Sequence, residues 1–427
     1  MRPRLLCVVC VTALLFCLGV GLADAQQKKV TLLIHPTVYQ ITGGETGVIA
    51  DFKKRTGIEV EVVSLPTIQL HEKAMVEWLA KSGRYDVVTL LDIYFNEGLT
   101  QYVEPLDPLI AQLPASFEYR DVIPSLFDAV SAKGAKYGMP FQGGAVMFFY
   151  RKDLFDKYQV AVPKTFDALL TAARKVTAGL RKDGNSETYA LGVRAKEANV
   201  GAQDFLVFHF AAGGDLLEKD NAQCALNSPA GQTAARLYST FVKEGLVPKD
   251  LLAFGRDELI GAFQQGRLAM AAAFAPYYGL FNDPKNSKVT GQVGFAPMPT
   301  ASGVPAGRSF KNFWHMMLDR NSKNKEAAWA LMQALAGKEE QIRMASTWSF
   351  GPVRYSAFQS PAVRKTFPHA EAWGQAVAAS VAVGHAEWPK MQDIIFEEHA
   401  AVLGGQTPPD QAVARMCQRI RPLVGRK

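Results

Sequence analysis

Between residues 30 and 91 the chain switches repeatedly between two hydrophobic periods. Val30–His35 (VTLLIH) is an apolar run with strand composition. Glu45–Arg55 places Val48, Ile49 and Phe52 at helical spacing, and Gly57 supplies a C-terminal stop. Ile58–Leu65 alternates as a second strand, Ile68–Lys81 has the apolar stripe of an amphipathic helix, and Asp86–Leu91 (DVVTLL) is a further strand. Strands that alternate with helices predict an α/β fold with a parallel sheet covered on both faces. Ligands of such sheets bind beyond the carboxyl ends of the strands. That rule selects the loops beginning at Pro36 and Asp92, and with them Tyr39, Thr42, Asp92, Tyr94 and Phe95.

The next informative stretch is Tyr137–Phe155, YGMPFQGGAVMFFYRKDLF. Gly138 and Pro140 make a turn, and Gly143-Gly144 relieve backbone restriction ahead of an apolar strand over Ala145–Tyr150. Gln142 alone has hydrogen-bonding reach in this run. We read the stretch as a crossing between two lobes, with Gln142 facing a cleft; the alternative is an ordinary buried strand with a glycine bulge. Helices are expected over 165–175 (Thr165 as N-cap), 203–212, 228–245 (Asn227 or Ser228 capping, Pro229 in the first turn) and 258–265, and strands over 189–194 and 268–274. The second strand leads into Ala275-Pro276-Tyr277-Tyr278-Gly279. Val293–Pro299 and the Pro/Gly loop to Gly307 read as a second crossing, and Phe350–Arg354 as a third. A strand over 313–318 precedes a helix through Leu335, and the tail is helical over 370–381, 391–403 and 409–420. The expectation is two lobes, each a mixed, mostly parallel sheet flanked by helices. Lobe one takes 28–139 with 299–349, and lobe two takes 140–298 with 350–427.

Composition narrows the class. With 427 residues, 48% hydrophobic and 20% charged, the chain has globular values and room for two or three domains. Arg2 and Arg4, the apolar run Leu5–Gly21 and Ala23-Asp24-Ala25 form a secretory signal, with cleavage expected after Ala25. The net charge of +7 becomes +6 on loss of Arg2, Arg4 and Asp24. Its basic residues are interleaved with acids, which argues against nucleic-acid binding. Cleavage would remove Cys7, Cys10 and Cys17; Cys224 and Cys417 then either pair in an oxidising compartment or remain two buried thiols. Hydrolase and nucleotide motifs are missing: His71-Glu72 lacks its second histidine, and no nucleophile elbow or phosphate loop occurs. The seven histidines show no metal-ligand spacing. No enzyme activity and no cofactor are expected.

Four segments, in order, resemble the maltose-binding-like branch of the bacterial extracellular solute-binding proteins, receptors of ABC importers. They are DFKKRTGIEVEVV, the 137–155 stretch, FQQGRLAMAAAFAPYYG, and GFAPMPTASG followed by SKNKEAAWALMQAL. The resemblance implies a two-lobed periplasmic binding protein fold with a three-crossing hinge, a small carbohydrate, polyol or sugar derivative as ligand, and ABC permease subunits as partners of a monomer. By motif position it implies Tyr39, Asp92 and Tyr94 in lobe one, Gln142 at the crossing and Tyr277 in lobe two. It adds Trp314, although Asn312-Phe313 stand where the family often has two glycines, and Arg354 and Trp388 after the third crossing. An organic anion, a polyamine or a ferric ion (adjacent tyrosines such as Tyr277-Tyr278 ligate iron in ferric-binding relatives) remain alternative ligands. A secreted glycoside hydrolase is the alternative of another class.

Overall fold

The computed structural model describes residues 28–218 and 223–424. The expected signal and its cleavage site lie outside the described residues. Ten strands follow in order: β1 (Lys29–Ile34), β2 (Glu59–Ser64), β3 (Val87–Leu91), β4 (Ser131–Ala132), β5 (Ala135–Lys136), β6 (Met139–Arg151), β7 (Tyr189–Gly192), β8 (Leu268–Phe274), β9 (Val293–Ala296) and β10 (Lys311–Leu318). β4 and β5 form a small ribbon of their own; the others lie in the order β2-β1-β3-β10-β6-β8-β7, with β9 also on β6. β1 pairs in parallel with β2 and β3, and β7 with β8, whereas β10 and β6 run antiparallel to their neighbours. Helices supply the connections, such as Val48–Thr56 and Thr67–Leu79. Gly57 ends the first of these at φ 72°, where a side chain would be strained.

β6 ties the two halves together. Its first part, Met139–Ala145, pairs with β10; its second, Val146–Arg151, pairs with β8 and β9. The chain thus passes from one group of strands to the other inside one strand, and all but its last residues are buried. A further pass, the segment 341–353, meets it there. The Gly143 N–H donates to the Gly351 carbonyl at 3.2 Å. Gln341, fully buried, donates to the Phe141 carbonyl at 3.1 Å and accepts from the Val353 N–H at 3.0 Å.

Several expected elements differ. Pro140, expected in a turn, lies inside β6, which already begins at Met139 because the segment pairs with β10, and the helix expected over 203–212 begins at Ala198. The loop after β1 coils into a short helix, Pro36–Gln40, because Pro36 starts it and the His35 ring accepts the Thr37 N–H. The helix begun by Thr165 runs on to Lys182, since Leu169, Ala172, Ala173, Val176 and Leu180 keep one buried face.

Cys224 and Cys417 are bonded. The bridge joins the segment ahead of the helix Pro229–Lys243 to the C-terminal helix Pro409–Ile420, which already pack on each other. Among the described residues no helix is long and apolar enough to cross a membrane.

Candidate functional site

Two large cavities flank β10. Successive strand residues face opposite sides: Lys311 lines one cavity and Asn312 the other. The Lys311 cavity is the larger, about 1110 Å³; among its charged lining groups Glu97, Asp215, Arg308 and Glu387 are ion-paired, and Lys311 Nζ donates to the Val377 carbonyl and Ser125 Oγ, both at 3.0 Å. The Asn312 cavity, about 710 Å³, is the chemically distinctive one. It lies beyond the carboxyl ends of β1 and β3, over the Gln142–Gly144 part of β6, and against the loops that follow β7 and β8.

Its walls combine rings with polar groups. Trp314 on β10 is in register with Gln142 on β6, and the His35 ring lies 5.3 Å from the Trp314 ring. Tyr94 is stacked on His71 at 4.8 Å; burial raises the Tyr94 pKa and lowers that of His71. Opposite them stands Tyr277. The Arg256 guanidinium lies 5.4 Å from its ring centre, and Arg256 Nε donates to its hydroxyl at 3.1 Å. Burial, and then the nearby Arg256 charge, lowers the His35 pKa.

Deeper in the same wall is Arg194, only 1% exposed. Asp204 holds it from behind: Oδ1 accepts from Arg194 Nε at 3.0 Å and Oδ2 from its backbone N–H at 3.1 Å. The Tyr238 hydroxyl reaches Asp204 Oδ2 at 3.2 Å. Burial raises the Asp204 pKa, and the Arg194 charge opposes that shift. Asn199 and Gln203, from the first turns of the helix Ala198–Ala211, complete this side.

The sequence profile of bacterial extracellular solute-binding proteins matches residues 40–342. The chain belongs to this family. The family comprises transport binding proteins, not enzymes. Among curated solute-binding relatives, a probable ABC transporter-binding protein of Deinococcus radiodurans is 24% identical over 379 residues, 87% of this chain and 88% of that protein. A mannitol-binding protein of Pseudomonas aeruginosa is 26% identical over 286 residues, 65% of this chain and 63% of its own. A solute-binding protein of Agrobacterium radiobacter K84, solved in complex with ribitol, has the same fold: TM-score 0.78 at 24% identity, covering 93% of this chain and 98% of that one. The two-lobed, α/β solute-binding fold is therefore this protein's own.

Of the residues expected at the solute site from sequence, the structure brings Tyr94, Gln142, Tyr277 and Trp314 together in the cleft wall. The others lie elsewhere. Thr42 is buried, its hydroxyl donating to the Tyr39 carbonyl at 2.7 Å. Tyr39 turns toward Glu45 and is not part of the wall. Asp92 is wholly buried beneath it: Oδ2 accepts the Phe313 N–H at 3.0 Å, Oδ1 has no partner, and burial pushes the carboxyl pKa up to about 8. Phe95 lines the larger cavity. Arg354 is a structural cation. Its Nε donates to the Ala336 carbonyl at 2.7 Å, Nη2 to Phe117 at 2.9 Å, and Nη1 faces Asp121 at 3.2 Å. Trp388 is fully buried at the start of the helix Trp388–Leu403, where packing accounts for it. Of the adjacent tyrosines only Tyr277 reaches the cleft wall together with Arg256; Tyr278 packs edge-on against Phe295 and His369. Sequence reasoning missed His35, Arg194, Arg256 and Trp348. The strand-end rule, applied after β7 as it was after β1 and β3, selects Arg194.

Proposed function

We propose that the protein is the periplasmic receptor of an ABC importer, which closes two lobes on a small carbohydrate, polyol or sugar derivative and delivers it to a membrane permease. The observation that carries this reading is the cleft wall: the rings of Tyr94, Tyr277, Trp314 and Trp348, with amide and guanidinium groups between them. Such ligands present C–H faces that stack on rings and hydroxyls that need partners in fixed places. The name of the Pseudomonas aeruginosa relative and the ribitol in the Agrobacterium radiobacter complex point to the same class. In this reading lobe one is 28–139 with 299–349, and lobe two is 140–298 with 350–427. The chain is exported through the signal ending at Ala25, acts as a monomer, and hinges about β6.

A ligand that binds only the folded protein raises its melting midpoint. A thermal-shift panel of alditols, sugars, organic acids, polyamines and Fe³⁺ is expected to respond to one sugar or polyol class. Tyr277→Ala is expected to weaken that ligand about tenfold, the loss of one stacked ring at ~1.4 kcal/mol. Shifts confined to polyamines or iron, or an unchanged affinity in the variant, overturn the reading.

A further inference from the structure

The cleft holds a buried arginine whose charge is already balanced and whose hydrogen-bonding capacity is not used up. Arg194 directs Nε and its backbone N–H at Asp204, while Nη2 is buried without a partner. A guanidinium carries five N–H donors in a fixed fork, and donors left over in a wall that excludes water favour a ligand oxygen. The buried part of the wall, around Arg194, is electrically balanced as well. Its charged members among the described residues are Arg194, Arg256 and Asp283. Asp204 backs Arg194, and Asp257 lies 3.9 Å from Arg256. The Asp283 carboxylate is engaged by its own loop, accepting from the Lys285 N–H at 3.0 Å and from Asn286 Nδ2 at 2.6 Å. Around Arg194 no surplus positive charge stands ready to offset the burial of an anion, and a desolvated charge needs such an offset; the Arg256 charge sits at the half-exposed rim, where solvent screens it. Gln142, Asn199, Gln203 and Asn312 supply the uncharged donors and acceptors that hydroxyls require.

We propose that Arg194 is the specificity-determining residue of lobe two, a charge-balanced donor to ligand hydroxyls, and that the cleft therefore selects an uncharged polyhydroxy compound over the corresponding sugar acid. The inference rests on the sugar and polyol reading above and names the substrate class within it. Asp204 sets the selectivity: while it is ionised behind Arg194, the guanidinium offers hydrogen bonds without a net field. In Asp204→Asn the same donors carry an uncompensated charge.

The test is calorimetric titration of the full-length mature protein with ribitol and D-mannitol, and with D-ribonate and D-mannonate as their acids. The wild type is expected to bind a polyol at least tenfold tighter than its acid. Arg194→Gln is expected to lose at least tenfold in polyol affinity; because it leaves Asp204 buried without its cation, its melting midpoint is expected to fall as well, and the titration is run below that midpoint. Asp204→Asn is expected to move the acid-to-polyol ratio at least tenfold toward the acid, a change that mere loosening of the wall does not produce. Tighter binding of the acid by the wild type, or polyol binding unchanged in Arg194→Gln, overturns this inference and leaves the sugar and polyol reading standing. The wild-type comparison needs no variant to fold. Failure of every polyol, sugar and sugar acid to bind removes both readings together.

Discussion

Replacing Gly351 by alanine tests the crossing most directly. A Cβ at Gly351 would sit 1.7 Å from the Gly143 carbonyl oxygen and 2.9 Å from its carbon. Carbon and oxygen need more than 3 Å, so the two passes would have to part by about 1.5 Å. Little gives way on the far side: a Cβ at Gly143 would itself meet the Asn312 carbonyl oxygen at 2.3 Å and Phe313 Cα at 2.6 Å. Parting the passes also breaks the buried Gly143 N–H to Gly351 carbonyl bond. Overpacking of this kind costs about 1–3 kcal/mol, and a lost buried hydrogen bond adds about 1 kcal/mol, so the expected destabilisation is about 3 kcal/mol. Gly261 is the control. It lies inside the helix Arg256–Gln264, and a Cβ there would meet nothing within 4 Å. Gly261→Ala should therefore stabilise by about 0.5–1 kcal/mol. Urea unfolding of the two variants beside the wild type decides between them. If Gly351→Ala unfolds at the wild-type urea concentration with an unchanged slope, the crossing is not packed as described, and the argument that glycine is required there fails.

Three further outcomes are expected. The Cys224–Cys417 bridge closes a loop across a sequence separation of 193. Its removal in a Cys224→Ser/Cys417→Ser protein should therefore cost about 5 kcal/mol by chain entropy, read as a lower urea midpoint that a reductant no longer alters. His399 is fully buried with neither ring nitrogen partnered, and burial lowers its pKa to about 3. A depressed folded pKa gives stability that is full above the unfolded value near 6.5 and is lost as pH falls toward 3. Between pH 7 and pH 5 His399→Leu should thus lose about 2 kcal/mol less than the wild type in paired urea titrations. Arg354→Met removes the cation held by Asp121 and three carbonyls. It should cost about 3–5 kcal/mol in unfolding while the folded protein keeps its ligand affinity, and a selective loss of affinity would return Arg354 to the site.

The first three strands were legible because each carries its own signal: a continuous or alternating apolar run closed by a turn residue, with Gly57 as a helix stop. The cleft was half legible. Tyr94 and Tyr277 stand in the short helical turns that follow β3 and β8, at strand ends, where chain topology puts ligands whatever the residue type. Asp92 was selected by the same strand-end rule and Arg354 by motif position after the third crossing, and position along the chain does not tell a ligand contact from a structural anchor. The difference lies in partners distant in sequence: Phe313 for Asp92, and Phe117, Asp121 and Ala336 for Arg354. The strand-end rule could have found the position of Arg194, but not its role. Its role depends on Asp204 and Tyr238 standing behind it, which the order of residues does not announce.

The stretch 137–155 was open to two readings, a crossing between lobes or a buried strand interrupted by glycine, and in β6 they are one feature. A chain that leaves one sheet for another through a loop exposes its backbone and needs water or side chains to satisfy it. β6 avoids this by exchanging partners within the strand: up to Ala145 its ladder is with β10, and from Val146 onward it is with β8 and β9. Every residue of the exchange can then be buried, so the apolar run Ala145–Phe149 looks like an ordinary core strand. Gly143 marks the place where other backbone comes close, from Gly351, Asn312 and Phe313, and Gly144 the place where the Pro276 ring packs down on the strand. The aromatic wall at Tyr277 begins one residue beyond Pro276, and Gln142 lies one residue before Gly143. Close approach at the crossing, of backbone to Gly143 and of the Pro276 ring to Gly144, is thus what brings the polar floor and the aromatic wall of the cleft to one place, and the double glycine is the sequence trace of that approach.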